Sequence, residues 1–160
     1  MTKIKVFLVD DHEIVRLGLS TLINDQPDME VVGEAGTTGE ALKAIEKLRP
    51  QVVLMDIRLP GEGGIEATRK ITSRFPDTKV VMVTSFADDE LVVSAVRAGA
   101  AGYVLKQVGN EELLRGIRAA ARGEALLDPT VTSRLLSRMR DAERKAEDDA
   151  FRELSEREIE

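Results

Sequence analysis

The chain has 160 residues and a net charge of -6, with a pI of about 5.0; this is room for one domain of roughly a hundred residues or more with an appendage, and too little for two full domains. The acidic balance, with no cluster of Lys and Arg interleaved with aromatics, argues against nucleic acid as this segment's own ligand and favours a soluble protein-binding module. No cysteine is present, which excludes disulfides, thiolate metal sites and a thiol nucleophile and permits a reducing cytoplasm. The apolar run after Met1-Thr2-Lys3 is too short for a signal-peptide core and no run approaches a membrane span, so the chain reads as cytoplasmic with no membrane partner.

Runs of β-branched apolar residues begin near positions 4, 30, 51, 79 and 102, a spacing of about 25 residues that fits βα units. After the first run, Val15, Leu19 and Leu22 share one face of a helix that the Asn24, Asp25 and Pro27 cluster stops. Thr37 with Glu40 forms a capping box opening a second helix, which carries Ala41, Leu42, Ile45 and Leu48 and ends before Pro50. A third, weaker helical stretch runs from Ile65 to Phe75. Leu91, Ala95 and Ala98 define a fourth, with Gly99 placed to end it. Asn110 is expected to cap a fifth, with Glu111 and Glu112 in its first turn, Leu113, Ile117 and Ala120 inward and Gly123 beyond. Alternating βα units of this kind predict an α/β fold with a doubly wound parallel sheet.

Past Gly123 the composition changes. Asp128-Pro129 starts another helix, and Val131, Leu135, Met139, Ala142 and Ala146 follow four/three spacing. Residues 124–150 therefore read as a helical linker that either docks or dimerises through this thin seam or stands solvated. Ser155-Glu156-Arg157-Glu158 is a second capping box with Leu154 before it, and the chain stops at Glu160. One turn of helix cannot hold itself, so a further helical domain is expected to begin here and to have been cut away.

The chemistry lies where the apolar runs stop. Ile4 to Val9 ends at Asp10 and Asp11, Val52 to Met55 at Asp56, Val80 to Val83 at Thr84 and Ser85, and Tyr103 to Leu105 at Lys106. In an open parallel sheet these ends line one edge, where such folds place ligands. Three carboxylates in one pocket either raise their own pKa values or require a bound cation, and a carboxylate set without clustered His or Cys selects Mg2+ over zinc. A carboxylate also serves as covalent nucleophile toward a phosphoryl group. Asp56 is the candidate nucleophile, followed by the turn Leu59-Pro60-Gly61-Glu62-Gly63-Gly64, whose glycines let backbone approach an incoming phosphate. Lys106 and Thr84 would stabilise phosphoryl oxygens. Each residue alone has a plainer reading, since strand ends are commonly polar; His12 reads as a structural or capping residue, and Tyr103 as a half-buried strand residue with a wet hydroxyl.

Together these residues resemble the receiver domain of a bacterial response regulator, of the NarL/FixJ-like subfamily. The resemblance covers residues 3–123. It rests on Val9-Asp10-Asp11-His12-Glu13-Ile14-Val15-Arg16-Leu17-Gly18, on Met55-Asp56-Ile57-Arg58-Leu59-Pro60-Gly61-Glu62-Gly63-Gly64-Ile65-Glu66-Ala67, on Thr84-Ser85, and on Ala98-Gly99-Ala100-Ala101-Gly102-Tyr103-Val104-Leu105-Lys106. Phe151 to Ile159 further resembles the opening of a LuxR-type helix-turn-helix domain, so residues 1–123 would be a receiver, 124–150 the linker and 151–160 the start of a DNA-binding domain. No DNA-binding residue is expected within the chain itself.

The resemblance implies a five-stranded (βα)5 flavodoxin-like sheet in the order 2-1-3-4-5. It implies that Asp56 accepts phosphate from a sensor histidine kinase, with Mg2+ held by Asp10, Asp11, Asp56 and the backbone carbonyl of Arg58. Lys106 would pair with the phosphate, Thr84 would move toward it and Tyr103 would turn inward, reshaping the face of the fourth helix, fifth strand and fifth helix. The output would be homodimerisation and release of the DNA-binding domain, changing transcription. The chain would be a phosphoacceptor rather than an enzyme. Gln107 stands where many receivers have Pro, so no cis peptide is expected there. Arg58 and Phe86 occupy the positions that flank the phosphoryl group, and their bulk implies a water-shielded, slowly hydrolysed phosphate.

Other classes fit less well. A haloacid-dehalogenase-like phosphatase sets its nucleophile and acid two residues apart after one strand, whereas Asp10 and Asp11 are adjacent and Asp56 has its own strand end. A flavodoxin-like electron carrier needs a hydroxyl- and glycine-rich loop where this chain has Asp10-Asp11-His12-Glu13. The strongest competitor is a receiver-fold interaction module that switches by binding alone, without phosphorylation.

Overall fold

Four to seven apolar residues bounded by turn formers suit a buried strand, and each such run forms one. The computed structural model describes residues 2–85, 89–106, 109–124, 126–127 and 140. In chain order these are β1 (Ile4–Val9), α1 (Glu13–Asn24), β2 (Met29–Ala35), α2 (Thr38–Leu48), β3 (Val52–Met55), α3 (Gly64–Arg74), β4 (Lys79–Thr84), α4 (Asp89–Arg97), β5 (Gly102–Leu105), α5 (Asn110–Ala121) and β6 (Leu126–Leu127). All pairings are parallel, in the order β2-β1-β3-β4-β5-β6.

The five-stranded order 2-1-3-4-5 agrees with expectation, and the two-residue β6 adds a short sixth strand at the β5 edge. Leu126 and Leu127 pair with Gly102 and Tyr103, so the segment assigned wholly to a helical linker begins with a strand. Two residues carry no readable period, and only the vacant edge of β5 makes them a strand. Apart from residue 140, positions 128–150 of the expected linker helix, with Gln107 and the helix-turn-helix opening at 151–160, lie outside the described residues.

The sheet buries both faces. Phe7, Val9, Met55, Met82 and Tyr103 pack against Ala41 and Ile45 of α2, Ala67 and Ile71 of α3, and Val92 and Ala95 of α4. On the other face, Val6, Leu8, Leu54 and Val81 meet Ile23 of α1 and Leu113 and Ile117 of α5. Strands buried on both sides explain why the runs are continuously apolar rather than alternating.

Helix ends follow local chemistry. Thr37 accepts from the Glu40 N–H at 3.3 Å, as the capping box requires. α4 and α5 close in the same way. Ala100 and Glu124 donate back to Ala95 and Ala119, and Gly99 and Gly123 donate to Val96 and Ala120. The two glycines sit at φ 102° and 80°, the left-handed turn that this closure needs. At the start of α5 the expectation is corrected: Gly109 is the N-cap, without a side-chain bond, and Asn110 is the first helical residue.

Candidate functional site

The sheet ladder continues one residue past several strand ends, and that continuation builds the site. The Asp10 N–H donates to Ala35 at 3.1 Å, the Asp56 N–H to Val9 at 3.0 Å and the Lys106 N–H to Thr84 at 2.8 Å. Each polar residue is thereby fixed at a set height on the carboxyl edge. Asp10 and Asp56 are 3 % and 5 % exposed, and Thr84 is fully buried.

Asp10, Asp11, His12 and Asp56 each offer a ligand atom within 4.8 Å of all the others. Lys106 Nζ lies 3.4 Å from Asp10 Oδ2 and 3.6 Å from Asp56 Oδ2, bridging the two buried carboxylates. Burial pushes the Asp56 carboxyl above its ordinary value; Lys106 opposes this, the Asp10 charge adds to it, a backbone hydrogen bond from Arg58 opposes it and Asp11 adds further. The pocket is thus rich in oxygen donors and carries more acid than Lys106 alone offsets. That donor set fits a hard divalent cation of the Mg2+ kind.

His12 stands at the N-cap of α1 but makes no side-chain cap bond, which corrects the capping reading. Its Nδ1 instead meets Asp10 Oδ1 at 2.9 Å and Asp11 Oδ1 at 3.2 Å. The hydrogen bond to Asp10, then the charges of Asp11 and Asp10, raise the His12 pKa above its ordinary value. Its backbone N–H also donates to Asp10 Oδ1 at 2.8 Å, closing a turn that aims this carboxylate.

Tyr103 is fully buried, not half-buried with a wet hydroxyl. It faces Met82 across the β4–β5 pair, and Thr84 faces Leu105 two residues on. Period-two geometry places Thr84 and Tyr103 on the same face of the sheet, the face covered by α4. The aromatic is inward here because that face is packed on all sides.

Within the glycine turn after Asp56, Gly64 has a reason of its own in the chain. A Cβ at Gly64 would lie 2.0 Å from the Asp56 carbonyl oxygen, and the Gly64 N–H donates to Ile57 at 2.7 Å. α3 therefore starts directly against the backbone of Asp56, and Gly64 is required by the chain itself. Arg58 is exposed; Phe86 lies outside the described residues.

Two residues at the site were missed in the sequence. Arg16 Nη1 donates to the Asp10 carbonyl at 2.5 Å and Arg16 Nε meets Glu34 Oε1 at 3.3 Å. A lone cation among the apolar residues of the first two turns of α1 was the available signal for Arg16.

Residues 6–118 match the family model described as the response regulator receiver domain. The DNA-binding transcriptional activator DevR/DosR of Mycobacterium tuberculosis is 43% identical over 142 residues, covering 89% of this chain and 65% of its own length. The transcriptional regulatory protein LiaR of Bacillus subtilis is 44% identical over 137 residues, covering 86% of this chain and again 65% of its own length. The chain thus spans about two thirds of these relatives, a little under. Among solved structures, a LuxR-family two-component response regulator from Aurantimonas sp. SI85-9A1 superposes with a TM-score of 0.81 at 36% identity, covering 86% of this chain and 99% of that one. A buried acidic edge bridged by lysine and these matches lead to one assignment: the chain belongs to the response regulator receiver domain family, in its NarL/LuxR-type branch.

Proposed function

We infer that Asp56 is the phosphoacceptor of a two-component phosphorelay, and that its phosphorylation switches dimerisation and DNA binding of a C-terminal helix-turn-helix domain to regulate transcription. The observation that carries this reading is the Lys106 bridge between the Asp10 and Asp56 carboxylates, which sets a cation beside a carboxylate held at the bottom of an open edge. An Asp56 oxygen attacks phosphorus, the P–N bond of a kinase phosphohistidine breaks, an acyl phosphate forms and the imidazole leaves. Lys106 moves from its carboxylate partners to the new phosphoryl oxygens, and Thr84 donates to another. Asp10, Asp11, Asp56 and the Arg58 carbonyl would hold Mg2+, which when bound neutralises charge on the transferring group.

A protein phosphodonor is supported by the surface beside the pocket. Ile14 and Leu17 of α1 are 84% and 67% exposed, one turn apart on the helix that starts next to Asp11. Such paired apolar residues at the rim of an acidic site suit a helical sensor histidine kinase. The switch would then run from Thr84 to Tyr103 along their shared face to α4, a local charge event biasing a two-state surface. The chain acts as an acceptor rather than a turnover catalyst, and its setting is the cytoplasm; among the described residues no helix is long and apolar enough to cross a membrane.

Intact mass after incubation with Mg2+ and a small phosphodonor tests the reading, beside Asp56→Asn and a chelated control. One phosphoryl adduct, lost in both controls, is expected. An unmodified wild type that also fails to bind beryllofluoride would favour the phosphorylation-independent interaction module.

A further inference from the structure

We propose that Arg16 and Glu34 form a bracket that positions the Asp10–Asp11 turn for cation binding, and that a bulge in β2 exists to aim Glu34 into it. The proposal rests on the reading of that turn as the cation site and extends it to residues that touch no ligand.

The argument starts from strand parity. β1 and β2 pair in steady register from Ile4↔Met29 to Val6↔Val31, then Phe7 pairs with Gly33, leaving Val32 as an extra residue. Met29 and Val31 lie on the α1/α5 face of the sheet. In an unbroken strand Gly33 and Ala35 would follow them there, and Glu34 would point to the α2 side. Instead Ala35 joins the α2 face, and a Cβ at Gly33 would meet Phe7 at 2.8 Å and Leu48 at 2.9 Å on that face. The bulge has flipped the parity, and Glu34 emerges on the α1 face. A bulge that re-aims one side chain beside an active site is a recurring device.

What Glu34 meets there is Arg16. The Arg16 side chain is 17% exposed, and its guanidinium spans two groups: Nε to the Glu34 carboxylate, Nη1 to the Asp10 carbonyl. That carbonyl lies past the end of β1. The planar fork of Arg fixes both donors at once, so the orientation of Glu34 sets the height of the Asp10 carbonyl. The same peptide leads directly into Asp11. An ion pair to a half-exposed carboxylate adds little to stability; its use here is geometric. Groups that hold ligands in place without touching the cation commonly govern affinity.

Calorimetric titration of metal-free protein with Mg2+ tests this in wild type, Arg16→Gln, Arg16→Lys and Glu34→Gln, with the thermal melt of each metal-free form recorded alongside. The bracket predicts a Kd about tenfold weaker for Arg16→Gln, a smaller loss for Glu34→Gln, and partial recovery in Arg16→Lys, which keeps a donor for the carbonyl but loses the fork. These losses should hold at temperatures where every variant is folded. Unchanged Mg2+ affinity in Arg16→Gln, whatever its melting temperature, would overturn the bracket and leave the cation site standing. If Arg16→Gln does not fold, an unchanged affinity in both Glu34→Gln and Arg16→Lys overturns it equally. No Mg2+ binding by wild type would overturn the bracket and the cation site together.

Discussion

Asp56 is held above its ordinary pKa chiefly by burial, so ionising it at neutral pH works against folding. A group whose folded pKa is raised contributes stability that is lost as pH rises past its unfolded value. Asp56→Asn should therefore stabilise the metal-free protein at pH 7 by about 1 kcal/mol, a rise of a few degrees in melting temperature, and the gain should shrink in Mg2+. A melt of the variant at or below wild type in chelator would contradict the charge crowding described for the pocket. Gly64→Ala should act in the opposite sense, since its Cβ would meet the Asp56 carbonyl; a loss of about 2–3 kcal/mol by denaturant unfolding is expected. Replacing Arg58 and Phe86 with small polar residues should speed loss of the phosphoryl group, measured as the decay of the phosphorylated mass. The strand-end placement of Asp10, Asp56, Thr84 and Lys106 was legible because each ends an apolar run. The burial of Tyr103 was not, because it depends on α3 and α4 closing over a strand that reads the same whether half or fully covered.

α5 is tied to the connection between α1 and β2 by Arg118, whose Nε and Nη2 contact the two Asp28 carboxylate oxygens at 2.8 and 3.0 Å while Nη2 also reaches Gln26. The hydrogen bond from Arg118 lowers the Asp28 pKa from its ordinary 3.8. A lowered carboxylate pKa adds stability above the unfolded value that fades as pH falls through the folded one. The stability gap between wild type and Arg118→Gln should thus be fully open at neutral pH and close below about pH 3.8; because both groups are about a third exposed or more, it should not exceed about 1 kcal/mol. Urea unfolding at a series of pH values checks this, and a gap that does not narrow as pH falls below about 3.8 would contradict it. Helix positions were legible from spacing and caps, as Thr37 with Glu40 illustrates. β6 was not, since pairing of Leu126 and Leu127 is decided by the free edge of β5, and the Glu34 orientation was not, since a bulge reverses parity with only Gly33 inside β2 to mark it.

At the scale of the molecule, the parallel order β2-β1-β3-β4-β5 brings the ends of β1 and β3 side by side with the end of β5 on the same edge, which is why Asp10, Asp11, Asp56 and Lys106, from three distant parts of the chain, share one pocket. Sequence order and strand-end chemistry carried this much of the fold because a doubly wound sheet has few alternative topologies. The most direct test of Asp56 as acceptor is borohydride trapping after phosphorylation, followed by peptide mass mapping. An acyl phosphate is reduced to the alcohol, so homoserine marks the phosphorylated position without any substitution in the pocket. Homoserine at position 56, with Asp10 and Asp11 unchanged, is the predicted result; homoserine at 10 or 11, or at none of the three in protein carrying the phosphoryl mass, would contradict it.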